Sequence, residues 1–322
     1  MAPTGDTAER GQILVIMGLL VAVMLVALAL VLNSAIFAEN LSTRETADSE
    51  EPSAYAVDAG ATVAGVYDRT NANDTRKAVY ANASFNESFE TWADSRSDTA
   101  AENGALFEAD WTAHVGWRLE QTKNRSFTPT DDDSRTEWTV VDGVQNISAF
   151  ELSVNRTKLY NGADPAAFYV LVSDGTDTWK VFVYRNGGGD IVVSADDPTT
   201  TPQCTRATDR AVIDIRNGTV AGTDCAALDF PASLDGKLSV EFRNVQDGSG
   251  TERVNGTYTL VVNGSDAIAR DADGHPTQFN VSGEATPTAT AVVYAVRYDT
   301  RYQRKEVVHD VEGWHSPREE AY

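Results

Sequence analysis

Cysteine, histidine and lysine are all scarce in this 322-residue chain, which holds two Cys, four His and Lys only at 77, 123, 158, 180, 237 and 305. Two cysteines are too few for a disulfide-dense scaffold, and with no His near them they do not read as a zinc site. The four histidines (His114, His275, His309, His315) stand in no metalloprotease spacing. Gly-x-Ser-x-Gly elbows, phosphate loops and dinucleotide fingerprints are missing as well. Enzyme chemistry therefore has no residue support, and the chain reads as non-enzymatic. Positive charge is also lacking: 48 Asp and Glu face 26 Lys and Arg, a formal net charge of −22. Such a field repels phosphate backbones and anionic headgroups, which discounts nucleic acid as a partner. The charges are spread along the chain, so there is no acidic tail.

Among what is present, one apolar run stands out, Ile13 to Leu32, unbroken by any charged side chain. At about 1.5 Å per residue it spans roughly 30 Å, the thickness of a bilayer core, and only a helix satisfies its own backbone there. It exceeds the roughly 7–15 apolar residues of a cleaved secretory signal. The run is therefore expected to be a transmembrane helix with the lipid bilayer as partner. That gives a single-pass localisation, with a cytoplasmic N-terminus and an extracellular C-terminal ectodomain.

Eleven of the seventeen Asn begin an Asn-x-Ser/Thr sequon, several-fold more than chance, and all lie beyond the apolar run. A glycosylated outer domain is the simplest account. Asn217, Asn255 and Asn263 are each followed by Gly and read equally as hairpin turns. On a helix near 78–92, Ala78, Phe85, Phe89 and Trp92 share one stripe, with Asn82 at its margin and Asn86 further round. Asn82 is set aside as crowded. The expected glycan acceptors are Asn40, Asn73, Asn86, Asn124, Asn146, Asn155, Asn217, Asn255, Asn263 and Asn280. Outside the cytoplasm, Cys204 and Cys225 are expected to form one disulfide, whose loop of about 20 residues is worth roughly 3 kcal/mol.

The only metal candidates are Asp-rich loops: Asp131 to Asp133, Asp174 with Asp177, and Asp271 with Asp273. None completes a twelve-residue calcium loop with its distal Glu. No cofactor is expected; Asp271 and Asp273 are the best pair for Ca²⁺.

Five zones follow. Residues 1–12 form a cytoplasmic leader and 13–45 the N-terminal helix. Residues 46–125 are read as helical. Ser49-Glu50-Glu51-Pro52 marks a start, Val57, Ala61, Ala64 and Tyr67 or Asp68 recur near helical spacing, and Phe107, Trp111 and Val115 share a face of a third helix over 99–119. Residues 126–312 are β-rich, with period-two strands expected at 138–141, 147–154, 168–172, 179–184, 191–193, 211–215, 237–243, 254–262, 289–299 and 303–311. Residues 313–322 are a tail. The fold class is α+β: a membrane helix, a short helical region, then a mainly antiparallel β-sandwich or meander.

The start of the chain carries one further signal. Arg10-Gly11-Gln12-Ile13, leading into the apolar run, resembles the class III signal of archaeal type IV pilin-like proteins, over about the first 40 residues. The family's frequent Ser-Pro is replaced here by Ile13-Leu14-Val15. The resemblance implies cleavage by a prepilin peptidase between Gly11 and Gln12, and other pilin-like subunits as partners. At this length it implies a minor pilus or pseudopilus subunit. The dense carboxylate with little Lys resembles proteins of extreme halophiles, in keeping with a haloarchaeal cell surface. The alternative is a single-pass anchored glycoprotein of the envelope that binds a ligand without assembling.

Overall fold

Period-two burial governs the chain from Leu106 onward. The computed structural model describes residues 17, 19, 21–30, 53–72, 78–199, 202–231, 233–234, 236–270, 276–280, 286–305 and 307–316. Fourteen strands form among them. They are β1 Leu106–Arg125, β2 Glu137–Val144, β3 Ile147–Asn155, β4 Phe168–Ser173, β5 Thr178–Arg185, β6 Ile191–Ala195 and β7 Gln203–Arg206, then β8 Arg210–Asp214, β9 Thr219–Val220, β10 Thr223–Asp224, β11 Leu238–Arg243, β12 Gly256–Asn263, β13 Thr288–Arg304 and β14 Val307–His315. An eight-stranded sheet runs β10-β9-β8-β3-β12-β1-β13-β14, and a six-stranded one β2-β11-β4-β5-β6-β7. Every strand pairing is antiparallel, and most strands turn one face to the core and one to solvent, whereas β5 and β6 also bury Phe182, Tyr184 and Val192 in a second, smaller cluster.

The inward faces of the two sheets meet in one core. Phe127 lies 5.6 Å from Phe168 of β4, 5.5 Å from Phe242 of β11 and 5.3 Å from Tyr258 of β12, centroid to centroid. Each fully buried aromatic of this kind contributes about 1.5–3 kcal/mol. The sheet edges are tied as well, since the Cys204–Cys225 disulfide joins β7 of the smaller sheet to the segment after β10 of the larger.

β1 and β13 are 20 and 17 residues long and extend past the smaller sheet. Their register shifts once, between His114 and Val115, where β13 carries Tyr294 as an extra residue. The part near Phe107 and Tyr302 is covered by two helices, α1 (residues 53–71) and α2 (Ala78–Glu102). From α2, Ala81, Phe85 and Phe89 are fully buried at i, i+4, i+8 spacing, and Phe89 meets Trp111 of β1 edge to face at 4.9 Å. α1 buries Ala59, Val63, Val66, Tyr67 and Thr70. Its inner face is therefore rotated from the expected one: Tyr67 is inside, while Val57 is 74% exposed.

The α+β expectation is corrected to a mainly β fold, with strands over 45% of the described residues against 24% for helices. The third expected helix is β1. Phe107, Trp111 and Val115 are spaced by four, and four is a multiple of the strand period as well as close to a helical turn. Ala109 and Ala113, facing the same way, complete the strand pattern. Of the expected tail, Gly313 to His315 belong to β14.

The membrane helix is the second correction. Residues 21–30 are helical, about 15 Å of rise. Among the described residues no helix is long and apolar enough to cross a membrane. The single-pass anchor, and the localisation drawn from it, are without structural support. Residues 13–16, 18, 20 and 31–45 of the expected segment lie outside the described residues.

Candidate functional site

Three features of the molecule are candidates for function: an apolar helical stretch, the sequon-bearing surface and a cavity between the sheets. Arg10, Gly11 and Gln12 lie outside the described residues, but the helix they precede shows its chemistry. Every residue from 21 to 30 is exposed, with Leu25 at 60% and Leu30 at 66%. A helix that is apolar all round has no solvent face of its own and needs neighbours on every side.

The described sequons divide by environment. Asn124, near the end of β1, and Asn217, in the β8–β9 turn, are exposed. Asn217 donates from its backbone N–H to Asp214 Oδ1 at 2.8 Å and from its amide to Asp214 Oδ2, so the turn is held from both sides. Asn155 ends β3 and accepts from the N–H and hydroxyl of Thr157, a local cap of a single helical turn. Asn263 accepts from the N–H groups of Gln145 and Asn146, both at 2.9 Å, and so closes the β2–β3 turn from the end of β12. Asn255 is buried and its amide donates to Glu252. Asn82 and Asn86 are half-buried on α2, and Asn86 Oδ1 accepts from Trp111 Nε1 at 3.0 Å. Asn280 and Asn146 are half-buried, and Asn40 and Asn73 lie outside the described residues. Several sequon asparagines thus have structural work in turns and caps, which the tripeptide pattern alone does not reveal.

The disulfide is present: Cys204 and Cys225 are bonded with Cα atoms 5.7 Å apart. The Asp-rich loops are built as turns. Asp174 Oδ1 accepts from the backbone N–H of Asp177 and Thr176, which holds its carboxyl below the usual range. Asp132 is likewise lowered, first by the hydroxyl of Ser134 and then by its N–H. Asp271, Asp273 and His275 lie outside the described residues. Among the described residues no group of three or more His, Cys, Asp or Glu is placed to hold a metal ion. Two histidines make ring contacts: His114 lies 5.4 Å from Trp314, and His315 meets Tyr67 edge-on at 4.8 Å.

A cavity of about 180 Å³ opens between the sheets at the β2–β3 end, floored by Ile147, Phe150, Val172 and Leu238, with Asn146 and Phe230 in its wall. Phe230 is 46% exposed and rests edge-on against the buried Trp179 at 5.5 Å. Neither residue's place here is legible in the sequence, because the cavity forms only once distant strands pair.

No family model, curated protein or solved structure matches this chain.

Proposed function

We propose that this protein is a non-enzymatic, pilin-like cell-surface subunit, a minor pilus or pseudopilus component, whose leader is removed between Gly11 and Gln12. The carrying observation is the apolar helical stretch, exposed around its whole circumference from Val21 to Leu30. Bundled with the same helix of sister subunits, it would exchange water for side-chain packing on every face. The Arg10-Gly11-Gln12 signal, the one-sided sequons and a disulfide suited to an oxidising compartment all fit this reading. Replacing Gly11 with Trp tests it. In the native host the variant is expected to accumulate as a slower-migrating precursor; migration identical to wild type contradicts the reading.

A second reading, a binding module that does not assemble, is favoured by the cavity between the sheets. It predicts that filling the cavity by Val172→Trp abolishes surface binding while leaving any assembly intact.

A further inference from the structure

The four sheet edges are not alike. In the eight-stranded sheet, β10 is two residues long. In the smaller sheet, β7 has four residues and is tied to the opposite edge by its disulfide and by Arg206, whose Nε donates to Val220 O at 3.0 Å. The outer side of β2 is engaged where Asp142 N–H donates to Ala267 O at 2.9 Å. β14 is different: nine residues, paired to β13 without a register shift, with no Pro and no Lys from 307 to 315. Among the described residues nothing bonds the outer backbone of 307–313. A long, regular, open edge is a template for another strand.

The solvent face of this edge specifies what fits. Across β1, β13 and β14 the outward rows are Glu108–Arg301–Asp310 and Asp110–Asp299–Glu312. Arg297 reaches Glu312 at 2.8 Å, and Arg301 approaches Asp310 at 3.8 Å. Five carboxylates thus share two guanidinium groups, and the second row has like charges directly opposite across two strand pairs. Pairing of β14 with a second copy is disfavoured. Antiparallel registers centred on Asp310, Val311 or Glu312 keep the faces aligned, and each sets a carboxylate directly opposite another. A strand with Lys or Arg on that face instead places cations beside Asp310 and Glu312. Its alternate residues would continue the half-buried row of Val307, His309 and Val311 on the other face.

We infer that β14 is a docking edge for an extended segment of a partner polypeptide that alternates cationic with apolar residues. The segment joins the eight-stranded sheet as a ninth strand. Main-chain bonds supply affinity and the acidic rows supply selection. This inference goes beyond the pilin-like reading and does not depend on N-terminal processing.

The test is binding of a fluorescent peptide alternating Lys and Val to the full-length chain, compared with its Glu–Val counterpart and with a Lys–Val peptide N-methylated at every second residue. The Lys–Val peptide should bind saturably, and the other two should not. In an Asp310→Lys, Glu312→Lys variant the Lys–Val peptide should weaken and the Glu–Val peptide gain, each by about tenfold, the size of two cross-strand charge contacts. Equal binding of the methylated peptide would show charge attraction without strand pairing and overturn the inference. So would a lack of saturable binding, or dimers of the wild-type chain, seen by light scattering, that exclude the peptide.

Discussion

At the residue scale, small groups decide where side chains fit. Gly313 on β14 lies opposite Tyr298 on β13, and a Cβ there would enter the Tyr298 ring. The same tyrosine's hydroxyl would stand 3.1 Å from a Cβ built on Gly60 of α1. Two glycines far apart in sequence are thus explained by one ring, a relation that no local pattern encodes. Gly313→Val should cost about 1–3 kcal/mol by denaturant titration. In a Tyr298→Ala background most of that cost should vanish, because the clash is gone. Asp247 gives a second prediction. Its carboxylate accepts first from the Ser249 hydroxyl at 2.7 Å, then from the Thr251 N–H at 2.9 Å, and its pKa falls to about 2. A carboxyl lowered on folding stabilises the loop fully above its unfolded value near ~3.9 and loses that contribution as pH falls through about 2. A carbon-13 NMR titration should place its midpoint near 2, and a midpoint near ~3.9 would remove these bonds from the loop in solution.

At the scale of elements, runs of five or more branched and aromatic residues between turns are legible as strands, most clearly β3 and β4, where buried and less buried faces alternate. β3, β4 and β5 lie within a residue of their expected spans. α2 is legible through Phe85 and Phe89, whose four-residue spacing has no competing period-two partners. β1 is not, since its apolar residues satisfy both periods and only pairing with β12 and β13 decides between them. β9 and β10, two residues each, are too short to carry any period. The seating of α1 also escapes the sequence. Beyond the end of β14, the Asn71 side chain donates to Val293 O and accepts from Val293 N–H, both at 2.8 Å, while its own carbonyl accepts from Arg118. It thereby supplies the hydrogen bonds that a continuation of β14 would otherwise make at that position. Asn71→Ala leaves both backbone groups unpaired and is expected to lower stability by about 1–3 kcal/mol. Faster amide hydrogen exchange at Val293 should report it, and unchanged protection there would show that the contact carries no weight.

At the scale of the whole molecule, the two sheets are held by their shared aromatic centre and joined by one covalent tie between sheet edges. Cys204 and Cys225 are separated by 21 positions, a loop whose opening costs roughly 3 kcal/mol in the chain-entropy model. The Cys204→Ser, Cys225→Ser double variant should unfold at lower denaturant by that amount, and an unchanged midpoint would show that the sheets need no tie. The cysteine pair and the charge balance were legible as composition; the cavity, the open β14 edge and the burial of Asn255 were not, because each depends on which strands become neighbours. The proposal that the whole is a pilin-like surface subunit rests on the Arg10-Gly11-Gln12 signal and on the apolar residues that follow it, exposed on all sides among those described. Mass spectrometry of the N-terminus of the protein recovered from its native host tests this most directly. The account predicts a mature chain beginning at Gln12; a chain that retains Arg10 and Gly11 would contradict it.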